Sequence, residues 1–170
     1  MNADQTVVLS SAELVFLLST NDGDPARRAG SMLGVVGASP DDPLVQAGVA
    51  GLVLRDLARV AEGGLTIAPT VAAVVEGLLQ FEECATVSSI AAGAESSVQL
   101  FIGPTQSLAV RPLLFGCFQF DGLREGCRLG EVVASLMADP VSGVAVARID
   151  ERSSISVVKS TDSCTVVVDG

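Results

Sequence analysis

The chain has 170 residues, 49% of them apolar and 18% charged, with twenty Asp and Glu against ten Lys and Arg for a net charge of −10. A chain of this length buries about 70% of the surface its unfolded form exposes, so one domain, or one domain with an appendage, forms a core without staples, and disorder is excluded. The acidic balance repels phosphate backbones and anionic head groups, which argues against nucleic acid and membrane surfaces as partners.

In chain order, residues 6–10 ("TVVLS") read as a short apolar segment. Ser10 or Ser11 caps a helix over "AELVFLLST", with Glu13 in the first turn where the helix dipole favours an acid, and "NDGDP" stops it. Residues 22–43 are rich in Gly, Pro, Ser and Asp and read mostly as loop, with a short ordered piece at "SMLGVV". "SPDDP" opens a second helix over Pro43 to Glu62, ended by Gly63-Gly64. Its apolar arc is very wide (Val45, Val49, Leu52, Val53, Leu57, Val60), leaving Arg55, Arg59 and Glu62 for water. This helix is therefore expected to be mostly buried. "LTI" is an extended link, and a third helix spans Pro69 to Gln80 with Pro in the favoured first turn.

Beyond Phe81 the chain reads as strands. "CATVSSIA", "SVQLFIG", "SLAVRP" and "LLFGCFQF" are short, β-branched or aromatic, and separated by turn material. Val98, Leu100 and Ile102 alternate with Gln99, Phe101 and Gly103. A helix over Leu129 to Ala138 stops at Asp139-Pro140; "VAVARI" follows, then "SISVVK" and "CTVVVD" joined by "STDS" as a hairpin. The expected fold is α+β: an N-terminal three-helix, winged-helix-like unit packed on an antiparallel β-sheet, one further helix and a C-terminal β-hairpin.

The longest run without a charge is 15 residues, Ser96 to Val110, broken by Gly103 and Pro104, too short to span a bilayer. Asp4 stands where a secretion signal carries Lys or Arg, so a cytoplasmic protein is expected. The helix-turn-helix rhythm of residues 51–79 raises DNA binding. The third helix, however, offers Thr70, Glu76 and Gln80 and no basic side chain to meet a base or phosphate. With no His, Tyr or Trp, a Ser-His-Asp or Cys-His relay is impossible within one chain. The acidic pairs Asp41-Asp42 and Glu82-Glu83 sit at element ends, as solvated caps do, and no phosphate-cradling glycine loop is visible. No enzyme activity, cofactor or small-molecule substrate is expected. Cys84, Cys117, Cys127 and Cys164 lack metal-ligand spacing, so four free thiols and no metal are expected, with a Cys84–Cys117 disulfide as the alternative.

The segments "LSSAELVFLL", "AGVAGLVLRDLARV", "GGLTIAP" and "VAAVVEGLL", a strand meander and "GCRLGEVVASLM" together resemble one half of the EspG-type proteins. Those are actinobacterial chaperones of type VII secretion, built as two related halves with a central sheet. The resemblance covers about residues 8–138. It divides the chain into an EspG-like helix-plus-sheet domain, 1–140, and a strand-rich extension, 141–170, packing on the same domain. It implies a non-catalytic, cytosolic protein-binding module of chaperone or adaptor type, with a homodimer as one way to restore the two halves. A second reading stays open, a winged-helix-derived transcriptional regulator with weak or no DNA affinity.

"LLFGCFQF", read as one strand, puts Leu114, Phe118 and Phe120 on one face and Leu113, Phe115 and Cys117 on the other. Both faces are then expected to be covered, the second by the tail from Val144 to Val168, by another copy, or by a client. Phe101, Phe115, Phe118 and Phe120 are accordingly the candidate partner-binding residues, with a protein client or a second copy as partner.

Overall fold

The computed structural model describes residues 5–21, 23–35, 39, 41–91, 94–137, 143–148, 154–160 and 163–169, and their side chains outside 91–95, 143–145 and 154–169. Strand β1 (Thr6–Ser10) turns at once into helix α1 (Ser11–Ser19). Ser10, one of the two expected caps, accepts the Glu13 N–H at 3.3 Å, and Glu13 Oε2 returns to the Ser10 N–H at 2.7 Å. Each satisfies an N–H that the first helical turn leaves orphaned.

Residues 22–43, expected to be mostly loop, instead hold a helix, α2 (Asp24–Leu33). Its buried side is Ala26, Ala29, Gly30 and Leu33, the i, i+3, i+4, i+7 set of one helical face. Pro25 sits in the first turn, where its missing N–H costs nothing. Gly34 in the left-handed region (φ 66°) closes the helix as the Val35 N–H bonds the Gly30 carbonyl at 2.7 Å.

The second expected helix is correctly started and ends too late. α3 runs Pro43–Leu54, with the Asp42 carboxylate accepting the Leu44 N–H at 2.8 Å. Asp56 takes a left-handed conformation (φ 56°), and the Leu57 N–H bonds the Leu52 carbonyl at 2.8 Å, the closure usually made by glycine. Residues expected to continue the helix form β2 (Ala58–Ala61), paired with β3 (Gly64–Ile67). Nor is α3 mostly buried. Only Val45, Gly48 and Leu52 are fully inside, because the helix lies very close to α1 along one narrow face. A Cβ added at Gly48 would stand 2.1 Å from the Ala12 carbonyl oxygen.

α4 (Pro69–Leu79) matches its expected span and buries Val71, Val74 and Leu78 completely. The sheet is built from β1, then β4 (Glu83–Ala91), β5 (Ala94–Ile102), β6 (Leu108–Pro112), β7 (Cys117–Gly122), β8 (Gly143–Arg148), β9 (Ser154–Ser160) and β10 (Ser163–Asp169), with helix α5 (Leu129–Met137) between β7 and β8. Spatial order is β1-β7-β6-β5-β4-β8-β9-β10, every pair antiparallel.

The first four helices cover one face. Leu9, Phe101, Leu108, Val110 and Phe120 of the sheet meet Leu14, Leu52, Val71, Val74 and Leu78 there. On the other face α5 lays Leu129, Val133 and Met137 over Ala85, Val87, Leu100, Ile102, Ala109 and Ala147. The class is α+β as expected, with four helices rather than three in the first layer among the described residues. The described strands of the tail from Val144 to Val168 do not fold over the second face. They continue the sheet in plane beyond β4, with β9 and β10 forming the expected hairpin.

Candidate functional site: the turn between β6 and β7

"LLFGCFQF" is not one strand. β6 ends at Pro112 and β7 begins at Cys117; Leu114–Gly116 is a single tight turn between them. The Cys117 N–H bonds the Leu114 carbonyl, and the Leu113 N–H bonds the Cys117 carbonyl at 2.7 Å. Phe115 (φ 60°, ψ 33°) and Gly116 (φ 67°) are both left-handed. Two successive left-handed residues match the twist of an antiparallel hairpin, and the usual pair is Asn-Gly. Gly116 fits, since a Cβ there would meet Ser11 Oγ at 2.9 Å. Phenylalanine does not: the left-handed region costs an L-residue with a bulky side chain about 1–2 kcal/mol.

Packing of the side chain does not offset that cost, because Phe115 is 98% exposed and Leu114 79%. Leu113 is exposed as well. Three consecutive apolar side chains thus project from a turn whose base is held in place, the Ser11 hydroxyl donating to the Gly116 carbonyl at 2.8 Å. Leu54 ends α3 at 85% exposure, next to the Arg55 that reaches the first turn of α1. It is placed there by the Glu13–Arg55 ion pair (2.9 Å), in which Glu13 is 2% exposed. The turn and the end of α3 therefore flank the same helix start.

The structure separates the four phenylalanines. Phe101 and Phe120 are fully buried beneath the helices, and Phe118 is half-buried against the same core. Phe115 alone of the four is fully exposed. Leu113, Leu114 and Leu54 join it, though Leu54 was expected inside a longer helix. The second face of β7 is not an apolar surface in need of cover. Gln119 and Asp121 lie there, Asp121 accepting from Gln119 Nε2 (3.0 Å) and Thr6 Oγ1 (2.7 Å) and pairing with Arg111. These half-buried polar groups satisfy one another, which corrects the expectation of apolar packing on both sides.

Elsewhere Val60, Ile90 and Leu44 are exposed singly, on β2, β4 and α3. α4, the helix a DNA-binding module would place in the groove, is packed against α2 and the sheet and leaves Glu76 and Gln80 exposed near its end. Cys84, Cys117 and Cys127 are free thiols; the side chain of Cys164 lies outside the described residues. Among the described residues no group of three or more His, Cys, Asp or Glu is placed to hold a metal ion, and no helix is long and apolar enough to cross a membrane.

No family model matches this chain, and no curated protein matches it in sequence. Its backbone is nevertheless similar to a solved one. A structure of the Mycobacterium tuberculosis type VII secretion system chaperone EspG5 in complex with PE25-PPE41 dimer matches with a TM-score of 0.52 at 10% identity, over 96% of this chain and 86% of that chain. The likeness is one of fold. It agrees at that level with a resemblance to EspG-type architecture, but spans most of that chain where a resemblance to one half was expected.

Proposed function

We propose that this chain is a non-catalytic protein-binding module, a cytoplasmic chaperone or adaptor of the kind that serves type VII secretion, and that it docks a protein client with the turn Leu113–Gly116. The observation that carries this is Phe115, an aromatic side chain held outward by a strained backbone. Strain of this kind persists where the surrounding structure imposes it and clusters at sites of recognition. Exposed aromatic anchors are what protein partners bury with most gain. Phe118 and Phe120 hold β7 on the core behind the turn, whereas Phe101 lies on β5 opposite Leu108 at the far end of the hairpin and takes no part in docking. The similarity to a chaperone that has been seen in complex with a protein dimer points the same way.

The regulator reading finds less support, since α4 spends its apolar face on the core and shows an acid outward. An aromatic photo-crosslinker substituted at Phe115 in the native host tests the proposal. A discrete protein adduct is expected from position 115 and none from a crosslinker at exposed Val60 on β2. The same adducts from both positions, or none from 115, would contradict it.

A further inference from the structure

The two edges of the sheet are treated differently. On β1 the Gly122 N–H donates to the Gln5 carbonyl, so with the β1–β7 register Val7 and Leu9 face β7 while Val8 and Ser10 turn their backbone groups outward. One outward group of each is taken: Arg55 Nη2 donates to the Val8 carbonyl at 2.7 Å, and Glu13 Oε2 accepts the Ser10 N–H at 2.7 Å. The Glu13–Arg55 pair thereby seals this edge against another strand, a device that exposed edges need.

At the opposite edge, no described strand pairs with the outer side of β10. Its sequence, "SCTVVVD", has four β-branched residues and none of the usual guards: no Pro, no Gly, and no charge before Asp169. Two residues separate Ser160 from Ser163, so the β9–β10 ladder leaves Cys164, Val166 and Val168 with N–H and C=O on the open side. Those three positions are symmetric about Val166.

We propose that β10 is a self-association edge, at which two copies of this chain pair antiparallel about a two-fold axis through Val166. This goes beyond the proposed client binding and does not rest on it. The register sets Cys164 opposite Val168 and Val166 opposite Val166, using all seven residues of the strand. No like charges face each other, because the acid at Asp169 falls opposite Ser163. A second copy is favoured over an unrelated peptide because this one register is complementary to itself along its whole length. Each copy carries −10, so long-range repulsion opposes association and salt should strengthen it.

Sedimentation equilibrium from about 5 to about 200 µM, at low salt and at about 0.5 M, reads the equilibrium directly. A reversible monomer–dimer equilibrium that tightens severalfold with salt is expected. Val166→Pro removes an outward N–H without breaking the β9 ladder, and should be monomeric throughout with an unchanged circular dichroism spectrum. Should that variant fail to fold, hydrogen exchange on the unaltered chain decides: protection of 163–169 should rise with concentration while that of 6–10 does not. A monomer at about 200 µM in about 0.5 M salt would overturn the proposal and leave the edge to an extended segment of another protein. A dimer that persists in Val166→Pro, or concentration-dependent protection away from 163–169, would overturn it too.

Discussion

Glu13 holds three parts of the molecule together. Its carboxylate caps α1 through the Ser10 N–H, pairs with Arg55 at the end of α3, and with that arginine closes the edge of β1. Removing it leaves an orphaned N–H and an arginine without its carboxylate. Glu13→Ala should therefore lower unfolding free energy by about 1–3 kcal/mol, the sum expected of a lost cap and a broken pair whose arginine is 44% exposed and screened by water. Glu13→Gln keeps an acceptor for Ser10 and should lose less. Urea titration checks both. Equal losses would show that the charge on Glu13, and not its hydrogen bonds, does the holding. Phe115 is the opposite kind of residue, contributing nothing to the core and costing backbone strain where it stands.

At the scale of elements, α1 and α3 approach so closely that Gly48 has no room for a methyl group. The obstacle is the Ala12 backbone, which cannot swing aside as a side chain would. Gly48→Ala should destabilise by about 3 kcal/mol, whereas Gly63→Ala, with nothing within 4 Å of its added carbon, should fall within about 0.5 kcal/mol of the parent. A mild effect at Gly48 would mean that the helix pair slides apart easily. Much of this layer was legible in the sequence. The Ser10 and Asp42 caps, the Pro69 start and the alternation through Leu100 and Ile102 gave α1, α4 and β5 nearly at their bounds, and the start of α3. What escaped did so for physical reasons. α2 buries Ala, Ala, Gly and one Leu, so its face carries little hydrophobic contrast, and Pro25 and Gly30 read as breakers. The end of α3 was hidden because Asp56 occupies the left-handed position where glycine would announce a stop. The turn after β6 was hidden likewise, with Phe115-Gly116 standing where Asn-Gly would signal a hairpin. The site lies where local preference is broken, so pattern alone named Phe115 and misplaced its surroundings.

For the whole molecule, charge and layering act together. A net charge of −10 and an α4 packed on the core with Glu76 outward argue against a phosphate backbone as partner. Duplex DNA at physiological salt should show no sequence-dependent, salt-sensitive mobility shift with submicromolar protein, and such a shift would revive the regulator reading. The central claim, that the Leu113–Gly116 turn accepts strain in order to present an aromatic anchor, separates stability from function and can be tested as such. Tagged chains with Phe115 or with Phe115→Asn, expressed at equal levels in the native host, are compared for thermal midpoint and for the recovery of the protein crosslinked at position 115. Asparagine tolerates the left-handed turn, so the midpoint should stay level or rise by about 2–4 °C for about 1 kcal/mol of strain relieved, while recovery falls at least about tenfold. Undiminished recovery, or a midpoint that drops, would contradict the account by showing that Phe115 serves the fold and not a partner.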